Sequence, residues 1–220
     1  MLKKLTLPAL ALTAGFALLA GSALTACKIE PTPTEDGSEE TGAFNPDRMV
    51  EEIWASKVIP YLEQKAGSFA DVQAMAKTDP AAAGAKFGNP NKQANAPWTY
   101  AVRLDGKIIA ANTASRAATI DLDVDNDGQA DARIQIGPAM RGTALRDSLD
   151  FVNFNDFTNQ IDFAQFGKAF NSYVNRTVLS KLPREGLEGQ TARVLGAYKV
   201  TAGTALPLVT PVTAEVGVSP

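Results

Sequence analysis

Two stretches of this 220-residue chain concentrate side chains that could do chemistry. The first is Asp123-Val124-Asp125-Asn126-Asp127-Gly128-Gln129-Ala130-Asp131, with carboxylates at alternating positions before a glycine. Hard cations such as calcium are held by carboxylate oxygens spaced in this way, so Asp123, Asp125, Asp127 and Asp131 are the candidate calcium ligands. An EF-hand counted from Asp123 would need its bidentate glutamate where Ile134 stands, and the flanks alternate like strands, which excludes that motif. Calcium-binding hairpin loops and a plain Asx-rich turn both remain.

The second stretch runs from Gly137 to Gln160 and interleaves Arg141, Arg146, Asp147, Asn159 and Gln160 with Phe151, Phe154 and Phe157. Polar groups among aromatics must be paired on burial or must face a ligand. Two readings follow. The polar groups tie a crossing loop to a helix start through charge-assisted hydrogen bonds, or arginine and amide side chains beside phenylalanine bind a sugar or a carboxylate.

A third reactive position is Cys27. Lys3 and Lys4, the apolar run Leu5–Leu19 and the small residues after it have the layout of a secretory signal. Leu24-Thr25-Ala26-Cys27 resembles a bacterial lipobox, which predicts cleavage after residue 26 and lipidation of Cys27 with acyl chains, palmitate among them. Several chains anchor stably, each buried methylene contributing ~0.8 kcal/mol. Cys27 is the single cysteine, so no internal disulfide can form. Lys28 follows it, and by resemblance to enterobacterial sorting a non-aspartate there points towards the outer membrane, with inner versus outer left open.

Composition removes whole classes of function. The chain has no histidine, which excludes His-dependent triads, common catalytic zinc sites and His proton shuttles. No catalytic motif replaces them, and a non-enzyme is expected. The formal net charge is −3, and losing Lys3 and Lys4 with the signal makes the chain more acidic, which argues against nucleic acid as a partner.

The elements that must position these residues follow from periodicity. Residues 1–26 read as signal peptide and 27–44 as the lipidated cysteine and a flexible tether rich in Pro, Thr, Glu and Gly, spanning roughly 20 to 25 Å. Residues 45–88 read as a small helical subdomain, opened by Asn45-Pro46-Asp47, interrupted at Pro60, recapped by Ser68 and Asp79, and ended by Gly88. Trp54 and Tyr61 fall at core spacing. Residues 89–220 read as a β-domain. Alternation from Trp98 to Leu104 reaches Asp105-Gly106, taken as a hairpin turn, with a return strand from Ile108. Strands follow at 118–124 and 133–136, then a helix over about 156–182, then strands near 194–200 and 206–216, where Pro211 demands an edge or a bulge. Strands, one long helix and two more strands is the order of an OB barrel. The fold class is α+β, a helical N-terminal subdomain followed by an OB-like antiparallel barrel.

Gly137-Pro138, Arg141-Gly142-Thr143-Ala144-Leu145-Arg146-Asp147, Phe154 and Asp156-Phe157-Thr158-Asn159-Gln160 resemble the signature of a family of predicted periplasmic lipoproteins of unknown function. The resemblance extends to Ile53–Pro60. It implies an OB-like barrel behind helices and a place beside sugar-uptake ABC transporter genes, where members are often encoded; it assigns no site residues. The expectation is a membrane-tethered binding or accessory protein on the periplasmic face, partnered by the bilayer through Cys27 and by a transporter component or a sugar-like molecule. The alternative is a structural envelope lipoprotein, calcium-stabilised or not, with no small-molecule ligand.

Overall fold

The computed structural model describes residues 44–201, 203 and 205–217; the signal peptide, Cys27 and the tether to residue 43 lie outside them. Helix α1 (Pro46–Ile53) starts where the sequence places it, with the Asn45 side chain accepting from the Arg48 amide at 3.0 Å. The chain then widens into a π-helical turn, Trp54–Val58, before α2 (Ile59–Lys65). Pro60 therefore does not divide the helix. It lacks an N–H and its ring crowds the preceding turn, and the widened turn just ahead of it is a way to absorb such a residue. Val50, Trp54, Val58 and Leu62 stay on one buried seam.

A two-residue strand β1 (Gly67–Ser68) leads into α3 (Phe69–Thr78) and α4 (Pro80–Phe87). Ser68 caps α3 through the Asp71 amide, and Asp79 caps α4 through the amides of Ala81 and Ala82. Each cap satisfies donors that a helix start leaves unpaired.

The barrel strands are β2 (Thr99–Asn112), β3 (Thr119–Asp123), β4 (Ala132–Gln135), β5 (Thr191–Lys199) and β6 (Leu208–Val216). The order β2-β3-β4-β6-β5 closes because β2 also pairs with β5, and β1 adds to β2 in parallel. All pairings within the ring are antiparallel except β4 with β6. Asp105-Gly106 is not a turn. The strand β2 runs straight through it, pairing with β5 from Thr99 to Lys107 and with β3 from Lys107 to Asn112. Gly106 is required for another reason: a Cβ there would lie 2.4 Å from the Asp123 carbonyl oxygen, so glycine lets β3 approach where β2 passes from one neighbour to the other. Asp105 faces outward and pairs with Arg193 at 3.2 Å. Pro211 opposes Gly196 at the register shift between β5 and β6, the bulge its missing donor demands.

Between β4 and β5 lie the short α5 (Ala144–Ser148) and the long α6 (Gln160–Thr177), with 3₁₀ turns at Phe154–Asp156 and Leu179–Lys181. The long helix thus begins later than expected, because the Asn159 side chain takes the amides of Ile161 and Asp162 and fixes the start at Gln160.

The described residues form one compact unit with two hydrophobic cores. One fills the barrel with Val102, Leu104, Ile120, Leu122 and Ile134, and Phe69, Val72 and Phe87 of α3 and α4 join it. The other joins the outer face of the barrel, at Ala101, Leu195, Ala197 and Val212, to Val50 and Trp54 of α1 and Phe166 and Phe170 of α6. Among the described residues no helix is long and apolar enough to cross a membrane.

Candidate functional site

The acidic turn between β3 and β4 is built on its own backbone. Buried Asp123 accepts from the amides of Asn126 at 2.7 Å and Gly128 at 2.9 Å. Asp131 accepts from Val124 at 2.7 Å and, more weakly, from Asp125 at 3.4 Å. Asn126 and Gly128 take positive φ, 64° and 86°, which only such short polar or bare residues adopt readily. One oxygen each from Asp123, Asp125 and Asp131 lies within 4.8 Å of the others. Asp127 stands outside that group, turned to the amide and side chain of Gln129.

The polar residues of the second stretch separate in space. Arg141 is exposed, and its main chain is clamped by Gln135, which accepts from the Arg141 amide at 2.7 Å and donates to its carbonyl at 3.1 Å. Asn159 is the cap of α6, and Gln160 is the exposed first residue of that helix. Arg146 and Asp147 meet in a network. The Arg146 guanidinium donates to Asp147 Oδ1 at 2.9 and 2.6 Å, to the Phe163 carbonyl at 2.8 Å and to Thr143 Oγ1 at 3.3 Å. Asp147 Oδ2 accepts from Thr143 Oγ1 and from Lys199 Nζ, each at 2.8 Å. Burial alone would raise the Asp147 carboxyl, but the Lys199 and Arg146 cations and the Thr143 hydroxyl outweigh it and hold it below the usual carboxylate range. Gly167 on α6 belongs to this network by its bareness: a Cβ there would lie 2.9 Å from Arg146 Nη1.

Two concavities flank this frame. The smaller, about 190 Å³, lies between the 89–97 loop, α5 and the paired ends of β2 and β5, and its lining includes Thr99, Arg146, Asp147, Phe163 and Lys199. The larger, about 740 Å³, is an open groove between α3 and the barrel end, lined by Phe69, Gln73, Tyr100, Asp125, Asp131 and Tyr198. There Gln73 Nε2 donates to the Tyr198 hydroxyl at 3.2 Å and the Tyr100 hydroxyl donates to the Pro80 carbonyl at 3.3 Å. Burial pushes both tyrosine hydroxyls up from their ordinary values, so neither is a ready proton donor near neutrality. Thr99, Lys199, Gln73 and Tyr198 were not singled out by sequence reasoning. They sit in ordinary strand and helix patterns, and only the long-range register brings them to a cavity.

A closed five-stranded barrel with its helix between the third and fourth strands defines an OB-fold protein, here with helices packed on it. The chain belongs to the family of predicted periplasmic lipoproteins DUF2291, whose profile matches residues 17–215. Among solved structures it is similar to an OB-fold protein from Thermotoga maritima, at a TM-score of 0.62 and 18% identity, over 79% of this chain and 99% of that one. Comparison with curated proteins gives no match.

Proposed function

We propose that this chain is a lipid-tethered, non-enzymatic binding or accessory protein of small-solute uptake, anchored to the periplasmic face of the envelope through Cys27. The observation that carries this reading is the groove between α3 and the barrel. Its volume lies within the range of small-molecule sites, and it combines apolar ring edges from Phe69 and Tyr198 with the Gln73 amide and the carboxylates of Asp125 and Asp131. Donors, acceptors and an apolar wall, with the two carboxylates offset by Lys77 and Lys199 in the same lining, suit a neutral polyhydroxylated solute such as a sugar. The resemblance to a family often encoded beside sugar-uptake ABC transporters supports the same direction. Among the groove residues no nucleophile is paired with a base, and the chain has no histidine to serve as one.

The experiment is affinity capture of the intact lipoprotein from its own envelope, with identification of co-purifying proteins and solutes. Recovery of a transporter component, lost when Gln73 and Asp125 are both changed to alanine, is the expected result. Recovery of neither a transporter component nor a solute, across several growth media, would overturn it. A structural envelope role is the second reading, favoured by one observation: the Arg146 guanidinium is committed to internal partners and Asn159 to a helix cap, so much of the family-like signature serves the fold.

A further inference from the structure

The exposed apolar side chains of the domain are not scattered. Among the described residues Phe44, Met49, Phe154, Ile161 and Val200 are the large apolar side chains left exposed, and all but Val200 lie around the starts of α1 and α6. Ring contacts join those two starts into one surface. Phe44 meets Phe157 edge-on at 6.1 Å, Phe157 meets Phe163 at 5.2 Å, and Phe163 meets Phe154 at 5.4 Å. Phe44 and Phe154 are each 37% exposed, and Ile161, in the first turn of α6, is 68% exposed. A lone exposed apolar residue needs no explanation, but a contiguous patch marks a surface that meets another apolar phase.

Where the chain enters the domain decides what that phase is. Phe44 is the last residue of the tether read from the sequence, and sixteen residues separate it from Cys27. Those residues, Lys28–Ala43, hold only Ile29 and Ala43 as apolar side chains besides two prolines, too little to cover the patch. A second copy fits poorly as well. A stable interface takes about 800 Å² from each partner, whereas a whole aromatic side chain buries about 150–250 Å², and Phe44 and Phe154 expose a minor part of theirs. The bilayer to which the tether leads remains. Asp47 and Asp156 are exposed beside the patch, so attraction to anionic head groups is not what holds it there.

We infer that this patch is the face on which the domain rests against the bilayer, with Phe44, Phe154 and Ile161 inserted at the boundary between head groups and acyl chains. The inference rests on the lipid anchor of the proposed function. A domain already held within tether reach of the surface has met part of the cost of association, so a patch too small to bind membranes from solution docks once tethered. The patch shares no residue with the lining of the groove, so docking and solute binding do not compete for side chains.

The test uses the full lipidated chain in vesicles of neutral phosphatidylcholine. Asn155→Cys places a thiol between Phe154 and Asp156, and Glu185→Cys places one beyond the far end of α6. With Cys27 alkylated by its lipid, each is the single attachment point for a solvent-sensitive fluorophore. Flotation with the vesicles reports the anchor, and the label reports the face. The label at 155 should shift to the blue and be quenched by shallow nitroxide-bearing lipids, the label at 185 should do neither, and about 1 M sodium chloride should change nothing. Phe154→Ser combined with Ile161→Ser should return the label at 155 to its aqueous spectrum while the chain still floats. Ile161→Ser alone, at a mostly exposed side chain, should weaken the quenching without moving the melting temperature. A floating chain whose label at 155 reads water, equal quenching at both sites, quenching unchanged by these variants, or energy transfer between copies without lipid quenching would each overturn the inference and leave the anchor standing. A chain that does not float lacks the anchor, and both readings fall together.

Discussion

Arg146 binds Phe163 twice: its guanidinium carbon sits 3.7 Å from the centre of the phenyl ring while Nη1 donates to the same residue's carbonyl at 2.8 Å. One side chain thereby ties α5 to the first turns of α6 through both faces of a single partner. Arg146→Ala should therefore destabilise the domain by about 1–3 kcal/mol, because Asp147 keeps Lys199 but loses its donors on Oδ1, and the Phe163 carbonyl loses its partner. Arg146→Lys should recover little, since an ammonium cannot reproduce the fork or the stacking. Urea denaturation measures both; an Arg146→Ala midpoint close to wild type would show that the network does not support the fold.

Acid stability should report on Asp147. Its carboxyl is held low in the folded chain, so its ion pairs stabilise at pH above about 4 and that contribution is lost as pH falls through the folded value. Asp147→Asn should melt below wild type at pH 7, with the gap narrowing from pH 5 towards pH 2. A gap constant across that range would show that the charge contributes nothing.

The acidic turn should depend on Asp123 more than on its neighbours. Asp123→Ala strands the amides of Asn126 and Gly128 and should cost about 1–3 kcal/mol, whereas exposed Asp127→Ala should stay within about 0.5 kcal/mol. Because backbone amides hold the turn, a chelator should leave the melting temperature unchanged. A calcium-dependent rise that Asp125→Ala abolishes would instead assign Asp123, Asp125 and Asp131 to a cation.

Gly106→Ala should destabilise by about 1–3 kcal/mol, since the atom it would meet at 2.4 Å is a backbone carbonyl oxygen that cannot swing away. Thermal melts decide this, and an unchanged melting temperature would mean that β3 can shift freely.

Cys27→Ser should leave the signal uncleaved at residue 26 and the chain without acyl groups. Detergent partitioning identical to wild type would exclude lipid attachment at this residue.

Local chemistry was readable from the chain: Asn45, Ser68 and Asp79 are caps in the sequence and in the structure, and alternation marks β3 and β4. Asp105-Gly106 shows where such reading fails. A glycine that permits a turn and a glycine that permits close approach of another strand look alike until the neighbour is known. Asn159 was readable as polar but not as the cap, because Asn153 and Asp156 form a competing box of the same type that opens six residues earlier. The small cavity was illegible for a different reason. Thr99 and Lys199 meet through strand register, and no local period encodes a pairing across so much of the chain.

The double pairing of β2 has a consequence for biogenesis. Synthesis delivers β2 and β3 well before β5, yet the long ladder partner of the first half of β2 is β5, the two-residue β1 covering only Val102 and Arg103 on its other edge. Until β5 docks, the edge of residues Thr99–Lys107 that it will cover is open for other chains to join, and the loop to be closed is long and entropically costly. Barrel closure is therefore a late, slow event, and a chain secreted across a membrane meets that interval outside the cytoplasm, where holding the unpaired strand apart falls to whatever chaperones the envelope supplies.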